Sequence, residues 1–262
     1  MKAHVVLAHP ERRSFNGLLA DTTQNTLTAA GWGVTLSDLY GLEFDPREGA
    51  QHYTSRADAD RFHAQTEQRF NADQGTTPPE VMQELDNVRE ADLLVVHFPL
   101  WWFGMPAILK GWIDRVFVYG AMYRSTMRYD AGVCAGKKMI ACVTTGASKE
   151  SCSFNGREGD TQMHLWPILF PFRYVGFDVL VPAIFHGIGG VSFVEGDEDG
   201  TSGVELYKQH WADQLNNLSG RPTVPYNRDS EFDDTKRLVE GASEYSPFVS
   251  HTPNNLWAKP MR

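Results

Sequence analysis

The chain reads as a doubly wound α/β protein, a five-stranded parallel sheet with helices on both faces. Two observations predict this. Short β-branched apolar runs alternate with amphipathic stretches along most of the 262 residues, the order of a parallel sheet built through helical crossovers. The run Leu93-Leu94-Val95-Val96 has no polar alternation, which is the pattern of a strand covered on both sides.

The elements follow in order. Val5-Val6-Leu7-Ala8 is the first strand. Ser14 is the N-cap of a helix whose apolar face carries Leu18, Leu19, Thr22 and Leu27 and which runs to about Ala30. Gly31-Trp32-Gly33 ends it, and Val34-Thr35-Leu36 is the second strand. From Asp38 to Pro79 the pattern has little period. Tyr40, Leu42 and Phe44 are apolar enough to pack, so this is an excursion with one helix near Ala57 to Phe70, not a linker.

Glu80 to Ala91 is an amphipathic helix with Val81, Leu85 and Val88 on one side. The third strand stops at Pro99, which has no N–H for the ladder. Pro106 suits a first helical turn, after which Ile108, Leu109, Trp112, Ile113 and Val116 recur at helical spacing. Lys138 to Val143 is the fourth strand, Leu165 to Tyr174 is helical in part, and Phe177 to Phe185 is the fifth strand. A helix from Gly203 to Leu218 precedes a charged tail too short for a core of its own. The expected division is therefore a domain over 1–220 and an extension over 221–262 that packs on the domain or on a second subunit.

A formal net charge of -9 argues against nucleic-acid binding, which calls for clustered positive potential. No run of eighteen apolar residues and no h-region after Met1-Lys2 occur, so neither a membrane span nor a signal peptide is expected. Cys134, Cys142 and Cys152 are an odd set without ligand spacing, which suits free thiols in a reducing, cytoplasmic compartment. The nine histidines include no H-E-x-x-H pair, and no metal site is proposed.

Strands one, three and four all end in loops of distinct chemistry, and in a parallel sheet their carboxyl ends share one rim. The first loop, His9 through Asn16, offers an imidazole, hydroxyl and amide beside a helix N-terminus, suited to phosphate or serving as an ordinary cap. It contains neither G-x-G-x-x-G nor G-x-x-x-x-G-K-[ST]. The second loop brings Trp101, Trp102 and Phe103, either core or a platform for a flat ligand; an indole N–H in a loop is awkward to bury. The third, Thr144-Thr145-Gly146-Ala147-Ser148, offers hydroxyls and backbone N–H groups for a pyrimidine-like edge, or a simple turn. Taken together the three describe a flavin site.

Leu7-Ala8-His9 with Ser14-Phe15-Asn16, the long run from Phe98-Pro99-Leu100 through Trp102-Phe103-Gly104-Met105-Pro106 to Trp112, and Thr144-Thr145-Gly146 closely resemble the NAD(P)H:quinone oxidoreductase (DT-diaphorase) family over roughly residues 3–185. The resemblance implies a flavodoxin-like fold, bound FAD rather than FMN, and NADH or NADPH as donor. It also implies ping-pong two-electron reduction of quinones and a homodimer with active sites at its interface. By position, His9, Phe15 and Asn16 would hold the pyrophosphate, with Ser14 beside them. Trp101 stands where family members have a smaller polar residue and Arg13 where they have a small hydroxyl; neither change forbids flavin binding, and an arginine there adds a phosphate contact. Pro99 and Leu100 to Phe103, with Thr144 to Gly146 and Ala147, would line the isoalloxazine. Tyr123 matches an aromatic that the neighbouring subunit places over the quinone.

This chain departs from the family pattern after Gly146. Family members there use a tyrosine and a histidine to stabilise charge on the flavin; Cys152 and Glu158 stand at those positions and are the expected catalytic places. A thiol is a poor donor, and a carboxylate opposes an anion unless protonated. Hydride transfer needs mainly orientation, so reductase activity survives these changes. The alternatives are a flavodoxin-like electron carrier and a non-enzymatic partner-binding protein of the same fold.

Overall fold

The structure, a computed structural model, describes residues 1–188 and 198–253. Its regular elements are β1 (Lys2–Leu7), α1 (Phe15–Ala29), β2 (Gly33–Asp38), α2 (Ala64–Gln74), α3 (Pro79–Glu90), β3 (Leu93–Pro99), α4 (Ala107–Val116), β4 (Lys138–Thr144), α5 (Thr161–Tyr174), β5 (Asp178–Val179), β6 (Ala183–Phe185) and α6 (Glu198–Asn216). The sheet is parallel throughout, in the order β2-β1-β3-β4-β5, with β6 also pairing β4. This is the flavodoxin-like order, with its switch point between β1 and β3.

Two-residue alternation sorts the side chains of the central strands onto two faces. Ala3, Val5 and Leu7 of β1, with Leu93 and Val95 of β3, pack in one core with Leu19 and Leu27 of α1 and Trp211 and Leu215 of α6. On the opposite face His4 lies 3.7 Å from the Glu84 carboxylate of α3. That carboxylate accepts hydrogen bonds from Ser37 Oγ (2.6 Å) and, across the helix pair, from Trp112 Nε1 of α4 (2.8 Å). Every residue of β3 is buried, as its unbroken apolar run requires.

A buried polar knot fastens α6 to the sheet. The Thr23 hydroxyl of α1 donates to Leu19 O (2.9 Å), accepts from Trp211 Nε1 (2.8 Å) and meets His97 Nε2 of β3 at 2.9 Å. All three side chains are fully buried. With the hydroxyl proton committed to Leu19, Nε2 of His97 is the donor toward Thr23.

Several boundaries differ from the sequence expectation, α6 for instance spanning Glu198–Asn216 instead of Gly203 to Leu218, and three of the others have a physical cause in the packing. The fifth strand is two short pieces: Val181 N–H turns away to Pro222 O (2.8 Å) and Pro182 has no N–H, so β4 changes partner between Met139 and Cys142. The excursion helix begins at Ala64 instead of near Ala57. The residues before it wrap the buried Glu67 carboxylate, which accepts from Arg56 Nε and from the backbone N–H groups of Ala57 and Asp58. The helix expected over 165–174 starts at Thr161, where Asp160 caps Gln162 N–H, and it contains Pro167 and Pro171. The excursion is packed, since Gln68 of α2 bonds Asp114 O of α4 at 3.0 Å.

The chain divides into two compact units, Met1–Thr223 and the segment from Val224 onward. Within the second, Asn227 Nδ2 reaches Ser243 O (2.8 Å), and Phe232 and Leu238 form an antiparallel bridge. Among the described residues no helix is long and apolar enough to cross a membrane.

Removing the Thr23 hydroxyl leaves Trp211 Nε1 and His97 Nε2 buried without a partner. Thr23→Ala is expected to cost about 2–4 kcal/mol in urea unfolding, and a loss below about 0.5 kcal/mol would show the knot to be incidental. Burial drives the His97 imidazole from its ordinary 6.5 down to about 3, so the folded chain holds it neutral. That contribution to stability is complete above pH 6.5 and is lost as pH falls toward 3. Unfolding free energies measured across that interval should decline with acid, and less steeply in His97→Gln.

Candidate functional site

β1, β3 and β4 are neighbours in register, with Leu7 beside His97 and Pro99 beside Thr144. Their carboxyl ends therefore deliver three loops to one edge. Between the loops lies a cavity of about 430 Å³ lined by His9, Glu11, Arg13, Ser14, Phe15, Asn16, Pro99, Leu100, Trp101, Thr144, Thr145, Gly146 and Ile188.

The first loop is shaped by close backbone approach. A Cβ on Gly17 would lie 1.9 Å from Arg12 O, so only glycine lets the chain turn into α1 here. Ser14 Oγ caps Gly17 N–H at 3.2 Å, and the first turn of α1 carries no acidic residue, leaving its positive end for an anion. His9 Nδ1 is held on the Glu11 backbone, 3.0 Å from O and 3.1 Å from N, so Nε2 is the ring nitrogen left for a ligand. Burial lowers the pKa of His9, favouring the neutral imidazole.

The second loop is a tight reversal. Trp101 and Gly104 exchange backbone hydrogen bonds of 3.1 and 2.9 Å, and the two residues between them, Trp102 (φ 51°) and Phe103 (φ 59°), are both left-handed. Such two-residue turns normally use Asn-Gly, and a bulky residue in this region costs about 1–3 kcal/mol. The strain holds aromatic surface in the open, with Trp102 95% exposed and Phe103 49%. The reading of these rings as core is thereby excluded. Trp101 leans on His9 at 5.7 Å, and Phe103 lies 5.0 Å from His164.

The third loop is tied to both neighbours. Asn16 Nδ2 donates to Thr144 Oγ1 at 2.9 Å within the buried floor, and Asn16 Oδ1 is buried with no protein partner. Thr145 N–H donates to Phe185 O, and Ile188 N–H to Thr145 O. Thr145 Oγ1 bonds Ala147 O and meets His186 Nδ1 at 3.0 Å. Burial lowers the pKa of His186, with Lys149 adding to the effect.

Of the cofactor candidates, His9, Arg13, Ser14, Phe15, Asn16, Pro99, Leu100, Trp101, Thr144, Thr145 and Gly146 line the cavity. Trp102, Phe103 and Ala147 belong to the same loops without lining it. Nor do Tyr123, Cys152 and Glu158 line it. Tyr123 receives a hydrogen bond from Gln65 Nε2 (3.1 Å) and packs between Tyr119 and Tyr174; burial raises its pKa and keeps the phenol protonated. Cys152 O accepts from Thr161 N–H and Oγ1. Glu158 O accepts from His164 Nε2 at 3.0 Å, so the segment of Cys152 and Glu158 is linked to the aromatic loop through His164 and Phe103. Sequence reading did not single out Glu11, Ile188, His186 or His164. The strand pairing of Thr144 with Phe185 is the signal for the residues after 185, and it exists only once the strands are aligned.

The chain is similar to several known proteins. A family model for the flavodoxin-like fold matches residues 1–210. The guinea pig (Cavia porcellus) NAD(P)H dehydrogenase [quinone] 1 is 39% identical over 190 residues, covering 72% of this chain and 69% of the relative. The human ribosyldihydronicotinamide dehydrogenase [quinone] is 37% identical over 187 residues, covering 70% and 80%. Among solved structures, a Klebsiella pneumoniae chain carrying a provisional quinone reductase assignment superposes with TM-score 0.81 at 29% identity, covering 93% of this chain and 97% of that one.

Because Gly17 cannot carry a Cβ without moving Arg12 O, Gly17→Ala should detach the first loop from α1. The expected loss is about 1–3 kcal/mol in urea unfolding. Unchanged stability would mean the turn has slack that the geometry denies.

Proposed function

Since the chain belongs to the flavodoxin-like NAD(P)H:quinone oxidoreductase family, we propose that it is a flavin-dependent oxidoreductase. It takes a hydride from NADH or NADPH and passes two electrons to quinones or related planar electrophiles in ping-pong order. The observation that carries this reading is the cavity itself, where the N-terminal end of α1, the aromatic loop at Trp101 and the Thr144 and Thr145 segment meet at one sheet edge.

The residues present fit a flavin. Asn16 donates its amide N–H to the Thr144 hydroxyl, so its buried, unpartnered Oδ1 can accept from a ligand hydroxyl or N–H. His9, Arg13, Ser14, Phe15 and Asn16 would hold the phosphates. Pro99 to Phe103 would present apolar and aromatic surface to the ring system, and Thr144 to Ala147 would hydrogen-bond its polar edge. A bound flavin supplies the hydride acceptor and donor, and FAD is proposed over FMN. The protein's own contribution is orientation and exclusion of water.

The acceptor's reduction to a hydroquinone consumes two electrons and two protons, one proton more than a hydride brings. Tyr123, its phenol kept protonated by burial, is proposed to face the acceptor bound by the neighbouring protomer of a cytoplasmic homodimer. That assignment suits a side chain absent from the walls of its own chain's cavity. Cys152 and Glu158 are proposed to stand beside the reactive edge, in a segment that His164 braces against Phe103.

Stopped-flow mixing of the yellow protein with NADH and with NADPH tests the reading. At least one nucleotide should bleach the flavin in a single turnover, and a quinone should restore the colour. Protein that stays colourless after incubation with FAD and FMN would overturn it. Bound flavin that neither nucleotide bleaches would point to an electron carrier instead.

A further inference from the structure

Among the described residues that line the cavity Glu11 is the one carboxylate, and it stands where the flavin reading puts a phosphate. Its Oε1 accepts the backbone N–H of Arg13 at 2.8 Å and the Arg13 guanidinium Nε at 3.3 Å. A backbone N–H and a guanidinium one residue before a helix cap are the donors a phosphate oxygen would take. Those same hydrogen bonds from Arg13 lower the carboxyl pKa, so Glu11 is an anion at neutral pH. On the same wall, the buried Asn16 Oδ1 lacks a protein partner, which independently marks this end of the cavity as a place for a polar ligand group.

We propose that Glu11 is an internal competitor for the phosphate-binding donors of the first loop, setting how tightly the chain holds any phosphate-bearing flavin. This rests on the flavin reading and adds a residue that weakens binding. A phosphate entering the loop must displace the Glu11 carboxylate from Arg13 or sit beside a like charge, and either costs affinity. The chain then holds its cofactor less tightly than its donors alone would allow. Riboflavin, which has the ring and ribityl chain without phosphate, is indifferent to Glu11.

The test is an equilibrium titration of the full-length chain, cleared of co-purifying flavin, with FAD, FMN and riboflavin, read by quenching of flavin fluorescence. Glu11→Gln keeps an oxygen for the Arg13 N–H and removes the charge. It should tighten FAD and FMN about twofold to fivefold and leave riboflavin unchanged. Arg13→Gln should weaken FAD and FMN, and in the double variant the gain from Glu11→Gln should largely vanish. Equal or weaker FAD and FMN binding by Glu11→Gln, or a matching shift for riboflavin, would overturn the proposal while leaving the flavin reading intact. Wild-type protein that binds none of the three flavins would overturn both. Inorganic pyrophosphate is a flavin-independent check, since it should raise the melting temperature of Glu11→Gln more than that of the wild type; an equal shift in both would count against Glu11 as a competitor.

Discussion

The parallel pairing of β1, β3 and β4 is the constraint on which the rest of this molecule depends. Ala3 to Leu7 run beside Leu93 to His97, and Leu93 to Pro99 run beside Lys138 to Thr144. Because that register is fixed by side chains buried on both faces, a slip of one residue would exchange the two cores. His97 would leave Thr23 and Trp211, and His4 would leave Glu84. The same register brings three strands to an end together. The cavity is therefore a consequence of the core, and its loops can differ in chemistry without changing where they meet.

The loops carry costs that the core must cover. Trp102 and Phe103 occupy left-handed backbone, Gly17 is pressed against Arg12 O, and Asn16 keeps a buried oxygen without a protein partner. Each is understandable as preparation for a ligand: a strained turn that exposes flat aromatic surface, a backbone path that aims a helix end, and an amide waiting for a polar partner. The strap of His164 between Glu158 O and the Phe103 ring extends this organisation to the segment where the chain leaves its family pattern.

Much of this was legible in the amino-acid order. Unbroken apolar runs gave the central strands, and loop residues after each strand end named most of the cavity wall, because alternating strands and helices imply a parallel sheet whose strand ends share one edge. What was hidden depends on distance in the chain. The fifth strand splits because Val181 turns to Pro222, 41 residues on by residue number, and no window around Pro182 contains that partner. Glu67 shortens the excursion helix by gathering backbone N–H groups before it, a contact that propensity does not register. Glu11 is set apart from any other loop acid only by the hydrogen bonds its carboxylate accepts from Arg13. Ile188 and His186 reach the third loop only through the pairing of β6 with β4.

The central claim is that these three loops form a single flavin site, and the structure of the chain crystallised with FAD tests it most directly. The account predicts the isoalloxazine lying against Leu100 to Phe103 with its polar edge on Thr144 to Gly146, and the pyrophosphate at Ser14 to Asn16. A flavin found outside this cavity, or seated with its phosphates on the aromatic loop, would contradict it.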